Sequence, residues 1–455
     1  VRVVLIFLLF TSELLGQKCD CIKNIKVLQQ TIEENQASFQ HQVIEMSRHN
    51  EYLMFKNEII NKAGKISNQR DCIGLVALYL SFIKDEHCFI AYDSGYTPKS
   101  TKIIPPKQKG KHLQHPITGI WYFQDGSFSI SVFPSTSTFG EWVAVIHEDQ
   151  TGSWRKGQLK IEFYSDTNNA LSCIYWQKNL VPRQHKVKYT DSTLLIGRRL
   201  QFYREKQNVY SDQIIKSDFY FESLSAQTNY LRIQSFDLTH KRTIDSLLTT
   251  HRTDLASKNN LIIDVRNNGG GGFETFQGLL PYVLDQNVFA YPYYSSVWVS
   301  KANLEYYDST KYEYAESKLD STNETMYIDF LKQHEGGFSP TEPLYDTIQL
   351  EVGLPLRIAL VFNRYTASTA EGFVLQARSS GKVHTFGENS AGAVSYGDWR
   401  PIALPELNIW VAMTTKKMVF TTNEDLEGIG IKPGQDLSTI NENDWVTKIM
   451  ELLEK

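Results

Sequence analysis

Apolar residues recur at spacings of three, four and seven along the first part of the chain. Ile22, Ile25, Leu28, Ile32, Phe39, Val43 and Met46 fall on one face of a helix at that spacing. A second apolar run, Ile73 to Ile83, ends in the polar Lys84-Asp85-Glu86-His87. The stretch Thr97 to Pro116, rich in Pro, Lys and Gly, reads as a linker. From Ile117 the period changes to two: Phe128, Ile130 and Val132 alternate with serines, and Leu159, Ile161 and Phe163 with polar residues. Turns such as Gln124-Asp125-Gly126 separate these half-buried antiparallel strands, so residues 117–210 predict a small all-β domain.

From residue 225 onward strands and helices alternate. Tyr230 to Ile233 reads as a short strand, and Ile244, Leu247, Leu248 and Leu255 mark a helix. Leu261 to Val265 and Leu356 to Phe362 are continuous apolar runs of the kind found in strands buried on both faces. The alternation predicts an α/β layered core. Residues 300–345 are polar and poorly periodic and read as a long surface excursion. There are no internal repeats.

A chain of 455 residues implies two to four domains. The first segment, 1–17, reads as a signal peptide, with Arg2, the apolar run Val3 to Phe10, and Leu14-Leu15-Gly16-Gln17 as the cleavage region. That run is too short to span a bilayer, so no stable membrane insertion is expected. The remaining divisions are 18–103, an N-terminal helical part, 104–224, the β domain, and 225–455, the core. Export to the periplasm or the extracellular space permits disulfides. Of the five cysteines at least one must stay unpaired, and a bridge from Cys19 or Cys21 to Cys72 is the expected pairing. The net charge of -4 with no basic block points away from nucleic acid as a partner.

Two stretches carry candidate chemistry, each directly after a buried strand. Asp264-Val265-Arg266-Asn267-Asn268 leads into Gly269-Gly270-Gly271-Gly272. Four glycines leave backbone N–H groups unshielded, able to form a nest for an anion or for a developing oxyanion. The run has neither the Lys-Ser/Thr ending of a P-loop nor the spacing of a dinucleotide turn. The second stretch, Asn363 to Phe373, places Ser368 among small residues where a helix begins. A helix start offers free N–H groups and the positive end of the helix dipole, although a Ser/Thr cluster there also serves as an ordinary cap.

Together the two stretches resemble the tail-specific (C-terminal processing) and tricorn-like serine peptidases. That pattern is an apolar strand with Asp-x-Arg-x-Asn-x-Gly-Gly, matched at Asp264–Gly270. It is followed about a hundred residues later by Ser/Thr-Ala-Ser-x-x-Glu, matched at Thr366–Glu371. The resemblance covers about 225–440 and implies a crotonase-like α/β core. It puts Ser368 in the nucleophile slot and the N–H groups of Thr369 and of Gly269 or Gly270 in an oxyanion hole. Asn268 and Gly271 would line the site, and Glu371 would be structural. Processing-type members carry a catalytic lysine about 25 residues after the serine. Here that position is Ala393, within Gly387–Val394.

A serine hydroxyl needs a base to become nucleophilic near neutral pH. Tricorn-like members take a histidine from the N-terminal helical part and a glutamate near the end of the domain. Asp85-Glu86-His87 and Glu427-Gly428-Ile429-Gly430-Ile431-Lys432-Pro433 resemble those segments. His87 is the expected general base and Glu427 the group that orients or charges it, by triad logic. His384 is the alternative base, and Tyr396 a residue lining the site. The implied activity is peptide-bond hydrolysis on a peptide or unfolded protein, with no cofactor and no metal. The alternative is an inactive relative of the same fold that binds hydrophobic ligands or peptides.

Overall fold

The computed structural model describes residues 19–98, 102–104, 115–165, 170–206, 218–310, 318–350, 355–422 and 424–455. The expected signal segment and most of the expected linker lie outside these residues. Among the described residues no helix is long and apolar enough to cross a membrane.

The N-terminal part is built from helices Cys21–Asn35, His49–Ala63 and Gln69–Leu80. Asp20 and Asn68 cap the first and third, accepting the N–H of Lys23 and of Asp71, which satisfies donors a helix start leaves free. Ile25, Leu28, Ile32 and Val43 are fully buried, as their spacing predicts, but Met46 at the end of the stripe is 56% exposed. The cause is a π-helical turn, Gln40–Glu45, whose wider winding rotates the residues after Val43 off the buried face. A disulfide joins Cys21 to Cys72 and ties the first helix to the third.

Eight antiparallel strands, from Gly119–Phe123 to Leu200–Tyr203, close into a barrel. Closure comes from pairing of the first and last strands, Tyr122 with Tyr203 and Phe123 with Phe202. Period-two alternation turns Trp121, Ile130, Ile161, Phe163 and Phe202 into one buried cluster. Helix Gln69–Leu80 packs on the outside, where Arg70 donates to the buried Glu162 at 2.9 Å.

The core sheet runs Phe219–Ser223, Thr228–Ile233, Asn260–Asp264, Arg357–Phe362, Val383–Gly387, Gln435–Asp436 in spatial order. Only its first pair is antiparallel. Successive residues of strand Asn260–Asp264 face opposite layers. Leu261 and Ile263 join Ile244, Leu248 and Phe373, while Ile262 joins Trp445, Ile449 and Leu453. A strand covered on both faces has no polar face to show, which explains the apolar run Leu261–Ile263 at its centre. A second sheet is formed by Ile90–Tyr92, Tyr293–Val297, Tyr396–Leu404 and Ile409–Phe420.

The chain is thus a mixed α/β protein that includes a closed eight-stranded barrel. Residues 300–345 differ from the expected excursion, since they hold helices Lys301–Thr310 and Lys318–Lys332. These pack through only a few apolar side chains, among them Leu304 and Leu331 against Val297 and Val299. So small a buried stripe leaves little periodic signal in the sequence.

Candidate active site

Strands Asn260–Asp264 and Arg357–Phe362 are parallel neighbours, so the turns leaving their C-terminal ends lie side by side, where open α/β sheets build their sites. The glycine turn leaves the first. Asp264 anchors it: burial pushes its carboxyl up, but the adjacent Arg266 and Arg232 outweigh that and hold it below the usual range. Asn268, fully buried, accepts the N–H of Phe236 at 3.1 Å and of Gly270 at 3.0 Å through Oδ1. Its own carbonyl accepts the N–H of Ala367 at 2.9 Å, joining the two turns next to Ser368. A Cβ at Gly270 would stand 2.8 Å from the Ser368 Cβ and from the Thr369 nitrogen, so this approach needs glycine. Gly271 adds a carbonyl that accepts the Thr369 hydroxyl at 2.6 Å.

The second turn ends at Ser368, which has φ 56° and ψ −125° and precedes helix Thr369–Ala377. A non-glycine residue held there is strained, a condition that persists only where the surroundings fix it. Glu371 does much of that fixing. Its Oε2 accepts the N–H of Ser368 at 3.0 Å and of Ala393 at 2.8 Å. Its Oε1 accepts the Ser390 hydroxyl at 2.5 Å and the Gly392 N–H at 2.7 Å. Burial pushes this carboxyl up against those four hydrogen bonds. Ala393 therefore meets the site through its backbone.

His87 comes from the helical part. Its Nε2 lies 2.9 Å from the Ser368 Oγ, within the reach a base needs. The His87 loop is held from behind. Asp85 Oδ1 accepts the His87 N–H at 3.0 Å, and Asp85 Oδ2 accepts the Thr414 hydroxyl at 2.6 Å. Gln42, in the π-helical turn, accepts the Lys84 N–H and donates to the Lys84 carbonyl, at 3.0 and 2.6 Å.

Among the described residues Glu427, expected to orient or charge His87, makes no hydrogen bond to its ring. His87 Nδ1 is buried with no hydrogen-bond partner among the described residues. Glu427 Oε1 instead accepts the N–H of Glu86 at 2.8 Å, and Oε2 that of Ser395 at 2.9 Å. Three amides, counting Val394 at 3.3 Å, occupy the carboxyl group, and His87 Nδ1 is left without it. Burial, with the charge of Asp85, pushes the Glu427 carboxyl well above the usual range.

Of the proposed oxyanion donors, the Gly270 N–H is already given to Asn268. Among the described residues no hydrogen bond engages the N–H of Gly269 or Thr369. Tyr396 is buried, and its hydroxyl contacts His41 Nδ1 at 2.8 Å and the Gln42 side chain at 3.0 Å. His384 is exposed on strand Val383–Gly387, paired with Ala359 and not with the serine.

Sequence reasoning passed over Gln42, Thr414 and Arg198. Arg198, from the barrel, donates to the carbonyls of Ser390, Ala391 and Ile429 at 2.6 Å each. Nothing local marks Arg198, next to Arg199 in a turn between two strands, as reaching so distant a part of the chain. Asp85 had a signal, since it stands two residues before His87 in the Asp-x-His segment.

Residues 227–437 match the model of peptidase family S41. No curated protein matches the chain. Among solved structures, mature CPAF complexed with lactacystin is similar at a TM-score of 0.52 and 13% identity, covering 96% of this chain and 97% of that one. The photosystem II D1 C-terminal processing protease is similar at a TM-score of 0.39 and 13% identity, covering 92% of each chain. A putative S41 protease from Bacteroides fragilis reaches a TM-score of 0.33 at 11% identity, covering 82% and 84%. The match to peptidase family S41, the tail-specific and C-terminal processing group, thus falls on residues 227–437, which hold both the glycine turn and Ser368, and supports a serine-type peptidase.

Proposed function

We propose that the chain is an exported endopeptidase that cleaves peptides or unfolded proteins through an acyl-enzyme on Ser368. The observation that carries this reading is the 2.9 Å contact between His87 Nε2 and Ser368 Oγ. Neutral His87, with its proton on Nδ1, accepts the hydroxyl proton as Oγ attacks the substrate carbonyl. It then returns the proton to the leaving amine. The N–H groups of Gly269 and Thr369 receive the oxyanion, a service worth about 2.7–4 kcal/mol of barrier per donor. Water repeats the sequence on the ester and frees Ser368.

Glu427 is a positioning group in this reading. Its carboxyl group accepts the N–H of Glu86, one residue before His87, and so holds the histidine loop in place. Ala393, where processing-type members have lysine, leaves proton transfer to His87. The parallel core sheet, covered on both faces, supports the crotonase-like reading of 225–455, with the barrel and the helical part as added units. The Cys21–Cys72 disulfide supports export, since such bonds persist in oxidising compartments.

A serine-directed fluorophosphonate tests the reading. It should label Ser368 in the full chain and fail on Ser368→Ala. A folded chain that neither labels nor cleaves an unstructured protein would refute it.

A further inference from the structure

A cleft of about 490 Å³ opens one helical turn past Ser368. Its floor includes Gly372 and Gln376, on the helix that Ser368 begins. Four residues of helix advance ~6 Å, so the side chain of a substrate residue beside the scissile bond can reach it. The volume lies within the usual range for binding pockets, ~300–1,000 Å³.

The walls are aromatic and apolar: Phe273, Phe276, Tyr291, Tyr293, Leu344 and Met418. Phe273 directly follows the four-glycine turn, so this wall continues from the candidate oxyanion cradle. Three charges also line the cleft: Lys416 and Asp398, ion-paired with each other, and Glu342, exposed on the facing segment. Among the described residues no lining cation is left over to receive an acidic side chain, and burying one unpaired is costly, while Glu342 lies exposed to solvent, where an ion pair with a basic side chain contributes little. A Cβ at Gly372 would overlap the Tyr293 hydroxyl, so glycine there sets the depth of the cleft.

One rim is an open strand edge. Strand Tyr293–Val297 pairs with Ile409–Phe420 on one side. The bonds Trp298 N–H to Thr415 and Thr421 N–H to Pro292 fix the alternation. Tyr294 and Ser296 therefore bond inward, and the N–H and C=O of Tyr293 and Ser295 face out. The facing segment bonds at each end, Ser339 to Val297 and Leu344 to Tyr291. Between them Pro340 and Pro343 have no N–H to complete a ladder. The result is an open cleft with apolar walls and, among the described residues, unpaired backbone groups at its rim, suited to one side chain rather than a through-running strand.

We propose that this cleft is the specificity pocket of the peptidase and that it selects a large apolar side chain, aromatic above all, on a residue flanking the scissile bond. The inference rests on the reading of Ser368 as nucleophile. In the experiment the full chain digests a peptide library and the cleavage sites are mapped by mass spectrometry, while Ser368 occupancy is followed with a fluorophosphonate. Phe, Tyr, Trp, Leu or Met should exceed Asp, Glu, Lys and Arg at one flanking position by ~10-fold or more. Met418→Glu should move that preference toward Lys and Arg, with labelling of Ser368 as the sign that the variant is folded. Labelling and cleavage without a large-apolar preference, or with a preference Met418→Glu does not move, overturns the pocket and leaves the nucleophile standing. Absence of labelling in the unaltered chain overturns the nucleophile, and the pocket with it.

Discussion

Glu371 Oε2 accepts the backbone N–H of Ser368 at 3.0 Å from three residues further along the chain. The same carboxylate gathers Ser390, Gly392 and Ala393, so one buried side chain holds the nucleophile turn against the loop behind it. Glu371→Gln replaces one acceptor oxygen by a donor facing donors. Each buried group left unpaired costs ~1–3 kcal/mol. The variant should unfold at lower urea concentration and label more slowly at Ser368. Unchanged urea midpoints would contradict this account of the turn.

Removing the imidazole tests proton transfer. His87→Ala should lower kcat/KM by ~10²- to 10⁴-fold, the usual contribution of a general base, with little change in the urea midpoint. His384→Ala should leave the rate as it was, since that ring is exposed on a strand. Steady-state assays on one peptide decide between the two histidines.

The glycine turn allows a paired comparison. Gly270→Ala forces a Cβ to 2.8 Å from Ser368 at a φ of 94°, whereas a Cβ at Gly269 meets nothing within 4 Å. Gly270→Ala should lose both stability and labelling, the backbone strain alone costing ~1–3 kcal/mol. Gly269→Ala should stay folded. Thermal unfolding of the two variants reads the difference.

Lys160 predicts a pH dependence remote from the site. It is buried in the barrel, donates to the Trp176 carbonyl at 2.7 Å, and lies 3.5 Å from the Trp154 ring centre. Burial pushes its pKa down from 10.5 to about 6. Between those values the unfolded chain holds a proton that the folded chain lacks, so stability rises with pH. The slope from this group is ~1.4 kcal/mol per pH unit, with the benefit complete above the unfolded value and lost as pH falls toward 6. Urea unfolding from pH 7 to 9 should show a stability gain that Lys160→Met reduces by that slope.

Reducing the Cys21–Cys72 bridge should cost ~2–4 kcal/mol. It should also slow labelling of Ser368, because His87 rides on the stapled helical part. Urea titrations with and without dithiothreitol, followed by the same probe, check both effects.

What could be read from the sequence was local. Strand Asn260–Asp264 and the turn after it announce themselves because a strand buried on both faces is apolar at its centre and a crowded turn needs glycine. Ser368 and His87 were each visible through short segments around them. What could not be read was the work of distant pieces. Glu427 spends its carboxylate on amides from two other parts of the chain, and no spacing within Glu427–Pro433 reports that. Gln42 acts through a π-helical turn that the helical stripe only hints at, by the drift of Met46 into solvent. Closure of the barrel depends on Phe123 meeting Phe202, a register that alternation alone leaves open.

Arg198 carries a consequence for timing. Its guanidinium reaches from the barrel to the carbonyls of Ser390 and Ala391, on the loop that also feeds Glu371, and to that of Ile429. Those loops have their full set of tethers only once the barrel has closed and docked. A half-made molecule, with its scaffold still open, would hold the serine in a slack cradle. Loosening the barrel would therefore take three tethers from the loops behind the serine.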